Sequence, residues 1–96
     1  MGIISKLNKA FDHRIRLGIM SILVVNDDAD FKTLKELLDV TDGNLASHAK
    51  ALEKEAFIKV EKSFIDRKPN TKYIATKLGT AAFKEHVDAL EKLLGG

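Results

Sequence analysis

Small, neutral-polar and basic residues share one side of a segment, residues 42–56, whose apolar residues have helical spacing. Leu45, Ala49, Leu52 and Ala56 follow one another at intervals of three or four, which predicts a helix with one face packed on a core. The opposite face carries no acid and consists of Gly43, Asn44, Ser47, Lys50, Ala51 and Lys54. Such a face suits a nucleic-acid groove. The alternative is an ordinary amphipathic surface helix.

The first residues of this segment predict a slim helix start. Asp42 is placed to act as the N-cap, and Gly43 and Asn44 would then fill the first turn. Backbone N–H groups at such an end can meet phosphate, and small side chains allow a close approach. The Gly43 end is therefore the part of the helix expected to do any reading.

Composition limits what the chain can be. Its 96 residues, 45% apolar and 31% charged, predict a single soluble globular domain spanning residues 1–96. A net charge of +2 is too small to indicate nucleic-acid binding unless the charge is unevenly placed. The absence of cysteine excludes disulfides and thiolate metal sites and fits a cytoplasmic location. We expect no secretory signal and no membrane span.

The segments before residue 42 predict three helices. An apolar stripe in residues 1–11 predicts an N-terminal helix, which either folds back on its own domain or crosses to a second subunit. Residues 12–25 are apolar over most of a helical circumference, which predicts the central helix of the core. His13, Arg14 and Arg16 crowd the first turn of that helix, where the dipole disfavours cations. They could contact phosphate, pair with an acid of a second subunit, or be solvated.

A short third helix leads into the segment described first. Phe31 is expected as a buried anchor in a very short strand, and Thr33 to Glu36 forms a T-x-x-E capping box that predicts a helix ending near Asp39. About three residues then separate the two helices, which is the spacing of a helix-turn-helix.

Residues 58–75 predict a β-hairpin. The apolar period changes from 3.6 to 2 after Phe57, and Asp66 to Asn70 is a cluster of turn residues. The expected tip is basic, with one acid, Asp66, among the cations Lys62, Arg67, Lys68 and Lys72. A cationic hairpin beside a helix-turn-helix is a wing.

The last segment, residues 76–96, predicts a long helix capped by Thr76. It carries more apolar surface than a domain of this size can cover, which indicates a partner surface. Together with the N-terminal stripe it predicts a two-fold homodimer. The expected interface residues are Ile3, Ile4, Leu7, Phe83, Val87, Leu90 and Leu94.

The chain resembles small stand-alone winged helix-turn-helix transcriptional regulators of the MarR/ArsR type. The resemblance is carried by Asp42 to Glu53 as recognition helix, Phe57-Ile58 as the exit into the wing, Asp66 to Pro69 at the wing tip, and Ile74 to Gly79 as the entry to the last helix. It implies a mainly helical α+β fold, a three-helix core plus a β-hairpin wing, with N- and C-terminal dimerisation helices. Glu55-Ala56 stands where the family usually has a glycine helix terminator, and the cysteine ligands of metal-sensing members are absent.

The resemblance implies double-stranded DNA as the partner. Asn44 and Ser47, with His48 or Lys50, would face base edges, and Arg67 would reach the adjacent minor groove. Lys62, Lys68 and Lys72 would hold phosphates. The DNA-contacting set is then Gly43, Asn44, Ser47, His48, Lys50, Lys54, Lys62, Arg67, Lys68 and Lys72. A dimer would place two recognition helices about 34 Å apart, and an unidentified small-molecule effector between the dimer helices and the reading heads could alter that spacing.

Other classes of function find little in the sequence. There is no glycine-rich phosphate loop, no nucleophile elbow and no companion base for the acids Asp27, Asp28 and Asp30, so we expect no enzyme, cofactor or metal site. His48 could equally be a packed side chain. The competing interpretation is a winged helix used as a protein-interaction or assembly module. A continuous basic stripe across recognition helix and wing would favour DNA, whereas a neutral or acidic face would favour protein.

Overall fold

The chain forms a mainly helical α+β winged helix, as predicted. The computed structural model describes residues 3–95 and, at residue 3, the backbone alone. The helices are α1 (Arg14–Asn26), α2 (Phe31–Leu38), α3 (Asp42–Lys54) and α4 (Lys77–Leu93), and the strands are β1 (Asp28–Asp30), β2 (Ile58–Ile65) and β3 (Lys68–Ala75).

Helix α1 is the central helix of the core. Its Ile19, Met20 and Leu23 are fully buried, and they pack in one cluster with Leu45 and Leu52 of α3. The expectation that α1 is covered on nearly all sides was wrong at its C-terminal end, where Val25 is 80% exposed. Helix α3 therefore packs on α1 through buried apolar side chains.

The sheet has three antiparallel strands in the order β1-β3-β2. The predicted hairpin is confirmed, with Ile58 paired to Ala75 at its base and Ile65 to Lys68 at its end. Its turn is tighter than expected, because only Asp66 and Arg67 connect the strands and both have positive φ, as a type I′ turn requires. Residues 68–70 belong to β3.

Strand β1 replaces part of the predicted acidic loop. Its three residues pair with β3 from Asp28 opposite Ile74 to Asp30 opposite Lys72. Phe31 was wrongly expected in a strand: it begins α2 and is half-buried. The short strand ties the end of α1 to the wing.

Two helix caps differ from those predicted. The carboxylate of Asp30 accepts the backbone N–H of Thr33 at 2.8 Å, so Asp30 and not Thr33 caps α2, and the hydroxyl and N–H of Thr33 lower the pKa of Asp30. Likewise Thr41 Oγ1 accepts the N–H of Asn44 at 3.2 Å, so Thr41 and not Asp42 caps α3. In each case two residues able to cap stand close to the helix start, and the earlier one is the cap.

Helix α3 ends in a Schellman motif without glycine. The N–H of Phe57 donates to the carbonyl of Leu52 at 3.0 Å, and that of Ala56 to Glu53 at 2.9 Å. Ala56 has φ +62 and is exposed, so it lies outside the helix. The prediction that Ala56 belongs to the apolar face of α3 was wrong. The sharp turn into the wing is made despite the missing glycine, at the cost of a left-handed alanine.

The N-terminal segment is not the single α-helix that we predicted for residues 1–11. It forms two short 3-10 helices, Ile3–Lys6 and Lys9–Phe11, separated at Asn8. The side chain of Asn8 accepts the N–H of Ala10 at 2.9 Å, while its backbone N–H donates to His86 Nδ1 on α4 at 3.0 Å. Asn8 thus ends one turn, starts the next, and fastens the segment to its own domain.

Helix α4 is capped as predicted, because Thr76 Oγ1 accepts the N–H of Gly79 at 2.9 Å. Gly79 lies directly against the backbone carbonyl of Phe57, and a Cβ at residue 79 would collide with that oxygen. His86 is 4% exposed, with its ring edge-on to Phe11 at 5.3 Å between centroids. The helix is therefore anchored at both its start and its middle.

Candidate nucleic-acid interface

The side of α3 directly opposite its buried residues carries no acid, and the exposed acids Asp42 and Glu53 lie on its flank. Leu45, Ala49 and Leu52 are buried, which fixes the opposite side of the helix as its solvent face. That face carries the exposed residues Gly43, Asn44, Ser47, Lys50 and Lys54 that the sequence singled out. No atom lies within 4 Å of a Cβ placed on Gly43, so this end of the helix is open to an approaching ligand.

A cleft of about 640 Å³ runs between α3 and the wing. Its helix side is made by Ala46, Lys50 and Glu53, which are spaced so that they line one flank of α3. Its wing side is made by two cross-strand pairs of the hairpin, Val60 with Tyr73 and Lys62 with Thr71. Phe31 at the start of α2 also lines the cleft. Two ammonium groups, from Lys50 and Lys62, and one carboxylate, from Glu53, therefore border one concave surface.

Glu53 and Tyr73 set the polarity at the base of the cleft. Burial raises the pKa of the Tyr73 hydroxyl, and the negative charge of Glu53 raises it further. The phenol is consequently a neutral hydrogen-bond donor at physiological pH. The sequence did not single out either residue, although the spacing of Ala46, Lys50 and Glu53 marks a common flank of the helix.

His48 lies on the other flank of α3, facing α1. Its Nδ1 accepts the Nε–H of Arg16 at 3.1 Å, and its ring stacks on that of His13 with centroids 4.0 Å apart. Partial burial lowers the pKa of His48, and the charges of His13 and Arg16 lower it further. His48 is thus half-buried in the contact between α1 and α3. This environment fits the interpretation of His48 as a packed side chain.

The cations at the start of α1 have two different environments. Arg16 is half-buried against His48, whereas Arg14 is exposed. His13 caps α1, with its Nδ1 accepting the N–H of Ile15 at 3.1 Å. Arg16 therefore holds α1 against α3 through His48, although the helix dipole disfavours a cation at the start of α1.

Asp42 places an exposed carboxylate at the N-terminal end of α3, next to Gly43 and Asn44. Lys35 of α2 lies 2.7 Å from it and partly neutralises it. The dipole favours an acid in this first turn. The pair joins the two helices of the helix-turn-helix at their exposed ends.

The predicted wing cations are divided between the two faces of the hairpin. Lys62 faces the cleft, with Thr71 opposite it in the ladder. Lys68 and Lys72 lie on the other face, because they pair with Ile65 and Glu61, whose side chains point away from the cleft. Lys62 and Lys72 were wrongly placed at the tip, because both lie in mid-strand. The Nζ of Lys72 is 3.8 Å from a carboxylate oxygen of Asp28.

Arg67 stands at the end of the wing in a conformation that favours glycine. Its φ is +68, and that of Asp66 before it is +50. A left-handed, non-glycine residue costs of order 1 kcal/mol, and such strain tends to occur where a side chain has a task. Arg67 is exposed, which leaves its guanidinium open to solvent.

The predicted dimer residues differ in how well their own domain covers them. Phe83, Val87 and Leu90 of α4 are half-buried, and Phe83 meets Phe11 edge-on at 5.7 Å. Leu7 is half-buried as well, whereas Ile4 is 72% and Leu94 87% exposed. The side chain of Ile3 lies outside the described residues.

Within residues 3–95, no three His, Asp or Glu side chains come together as metal ligands. No helix in the same range is long and apolar enough to cross a membrane.

Known protein families and sequences include matches to most of this chain. The family model described as winged helix DNA-binding domain matches residues 15–94. The uncharacterized protein MJ0432 of Methanocaldococcus jannaschii is 37% identical over 79 residues, which cover 82% of this chain and 86% of that protein.

Solved structures of other proteins have the same fold. A transcriptional regulator homologue from Pyrococcus horikoshii OT3 superposes with a TM-score of 0.90 at 32% identity, covering 100% of this chain and 97% of that one. The YusO protein of Bacillus subtilis has a TM-score of 0.77 at 13% identity, covering 97% of this chain and 65% of that one, and shares the fold.

Proposed function

This chain belongs to the family of winged helix DNA-binding domains, and we propose that it binds specific double-stranded DNA sequences as a dimeric regulator of transcription. The observation that carries the proposal is the cleft between α3 and the wing. Lys50 and Lys62 border it from two different elements against the single carboxylate of Glu53, and the side of α3 opposite its buried residues carries no acid. A DNA backbone fits between two such ammonium groups while the helix enters the major groove.

We assign the recognition of bases and the binding of phosphates to different residues. Asn44, Ser47 and Lys50 contact base edges, and Gly43 allows the helix end to come close to the duplex. Lys54 and Lys62 hold phosphates, and Arg67 enters the adjacent minor groove. His48 acts from the flank by fixing α3 against Arg16 of α1. Lys68 and Lys72 contact phosphate from the outer face of the wing.

We further propose that residues 1–96 act as one domain and dimerise through their ends. Leu94 and Ile4 supply exposed apolar surface, which Leu7, Val87 and Leu90 continue. Phe83 contacts Phe11 of its own domain and contributes its remaining exposed edge to the proposed dimer surface. The two recognition helices of a dimer would read half-sites about one turn apart.

MarR-like regulation by a small molecule is part of the same proposal. An effector bound between the dimer helices and the reading heads would change the separation of the two α3 helices and release DNA. Such a regulator acts in the cytoplasm, and a chain without cysteine is compatible with that reducing compartment.

Selection of bound duplexes from a random DNA pool tests the proposal. We expect enrichment of a pseudo-palindrome with two half-sites, and we expect a dimer in size-exclusion chromatography at micromolar concentration. A monomer there would contradict the dimer. Failure to enrich any sequence would contradict specific binding and would favour a protein-interaction module.

A further inference from the structure

We propose that the wing carries an apolar wedge, made by Phe64 and Pro69, that inserts between base pairs of the minor groove and bends the DNA. The inference rests on the proposed DNA binding and adds to it a residue pair that works by deforming the duplex. Neither residue is among the contacts predicted from the sequence.

Phe64 is exposed for a geometric reason. The hairpin leaves the core after Val60, and residues 61–69 are all exposed. At about 3.4 Å per residue, Phe64 lies roughly 14 Å beyond Val60 along the strand. Its side chain is 76% exposed, and no part of its own domain is close enough to cover it.

The ladder places Phe64 on the DNA side of the wing. Residues 60, 62 and 64 share one face of β2, and the first two of them line the cleft with α3. Pro69 stands directly opposite Phe64 in the register. The two apolar side chains therefore form a cross-strand pair at the outer end of the surface on which we place the DNA.

The charges around the pair select the partner. Lys62 precedes Phe64 on the same face, Arg67 lies in the turn beyond the pair, and Lys68 lies on the opposite face of the wing. The turn also contains one acid, Asp66. Cations that surround an apolar tip match the phosphates on both sides of a minor groove. Phenylalanine and proline are among the side chains that enter base steps from this groove, partly unstack them and kink the duplex.

The turn makes the tip narrow enough for this role. Only Asp66 and Arg67 connect the strands, so nothing extends past the Phe64–Pro69 level except one residue pair and the turn itself. Arg67 can then lie along the groove while Phe64 enters a step. Flexible steps such as TA or CA/TG open at the lowest cost, so the wedge adds preference for such a step where the wing lands.

The wedge predicts a kink of about 20–90° in the bound duplex. The probe is the duplex most enriched from the random pool, prepared with 2-aminopurine at successive positions of its minor-groove flank. Unstacking raises the fluorescence of this base, and energy transfer between dyes at the two ends reports the bend. We expect wild-type protein to raise the fluorescence at one step and to shorten the end-to-end distance.

Phe64→Ser is the test variant, and Ile65→Ser is its matched control. Ile65 is the next residue of the strand, is 56% exposed, and lies on the opposite face of the wing. We expect Phe64→Ser to abolish the fluorescence rise and the bend, and to weaken binding about tenfold, while Ile65→Ser keeps all three. Circular dichroism melting verifies that both variants remain folded.

The outcomes separate the wedge from the function on which it rests. If wild-type protein enriches no duplex, the proposed function fails and the wedge with it. If wild-type protein binds its duplex but leaves every 2-aminopurine stacked and the DNA straight, the wedge alone is overturned. Equal loss of the signal in Phe64→Ser and Ile65→Ser would also overturn it.

Discussion

Arg16 of α1 donates its Nε–H to Nδ1 of His48 on α3 at 3.1 Å, and this bond holds the flank of the proposed recognition helix. The contact requires His48 Nδ1 to be unprotonated, because a protonated nitrogen cannot accept. His13 stacks on the same ring. The orientation of α3 is thus linked to the ionisation of one side chain.

The first prediction concerns pH. Burial, His13 and Arg16 lower the pKa of His48 below 6.5, so between the two pKa values the unfolded chain binds more protons than the folded one. The stabilisation is complete above 6.5 and is lost as pH falls through the folded pKa. Thermal unfolding as a function of pH measures this. His48→Gln, which keeps an acceptor but does not titrate, should lose less stability on acidification; identical slopes would contradict the link.

The second prediction concerns Gly79. Gly79→Ala should destabilise the domain by about 3 kcal/mol, since its Cβ collides with the backbone carbonyl of Phe57. Gly43→Ala is the control, because a Cβ there meets nothing within 4 Å and should change stability by less than about 1 kcal/mol. Urea unfolding compares them. Equal midpoints for the two variants would show that α4 does not rest against Phe57 as described.

The third prediction concerns the end of α3. Ala56→Gly should stabilise the protein by up to about 1 kcal/mol, because Ala56 is held at φ +62 and glycine is unstrained there. The same substitution inside the helix, Ala46→Gly, should destabilise by about 1 kcal/mol. Opposite shifts of the urea midpoint are expected. A destabilised Ala56→Gly would contradict the Schellman motif.

Periodicity made much of the fold predictable. The apolar spacing of α3, the alternation of the wing and the Thr76 cap of α4 are all determined by neighbours close in sequence, and all three are confirmed. The caps of α2 and α3 were missed because Asp30 competes with Thr33, and Thr41 with Asp42, and each competitor is able to cap. Only the path of the chain decides between them.

The candidate site was harder to predict than the fold. Composition shows that Lys62, Lys68 and Lys72 are basic, but the face that each occupies depends on the hairpin register, which a two-residue turn sets. The partner of His48 lies 32 residues away on another helix. Such contacts between distant segments leave no local pattern.

The fourth prediction separates stability from binding at the wing. Arg67→Gly should stabilise the hairpin, since Arg67 has φ +68, and should weaken DNA binding, since it removes the guanidinium. Asp66→Gly also relieves a left-handed residue, of φ +50, but keeps Arg67. Urea unfolding measures the stability of each variant, and fluorescence titration with duplex DNA measures its affinity. Undiminished affinity in Arg67→Gly would remove Arg67 from the interface.

The salt dependence of duplex binding tests the central claim, that DNA lies across α3 and the cleft beside it. The logarithm of the association constant should fall linearly with the logarithm of the salt concentration. Lys62→Ala should make that slope shallower by about one unit, because one phosphate contact is lost. Lys84→Ala, an exposed change on α4, should leave the slope as it is. Equal slopes for wild type, Lys62→Ala and Lys84→Ala would contradict the account.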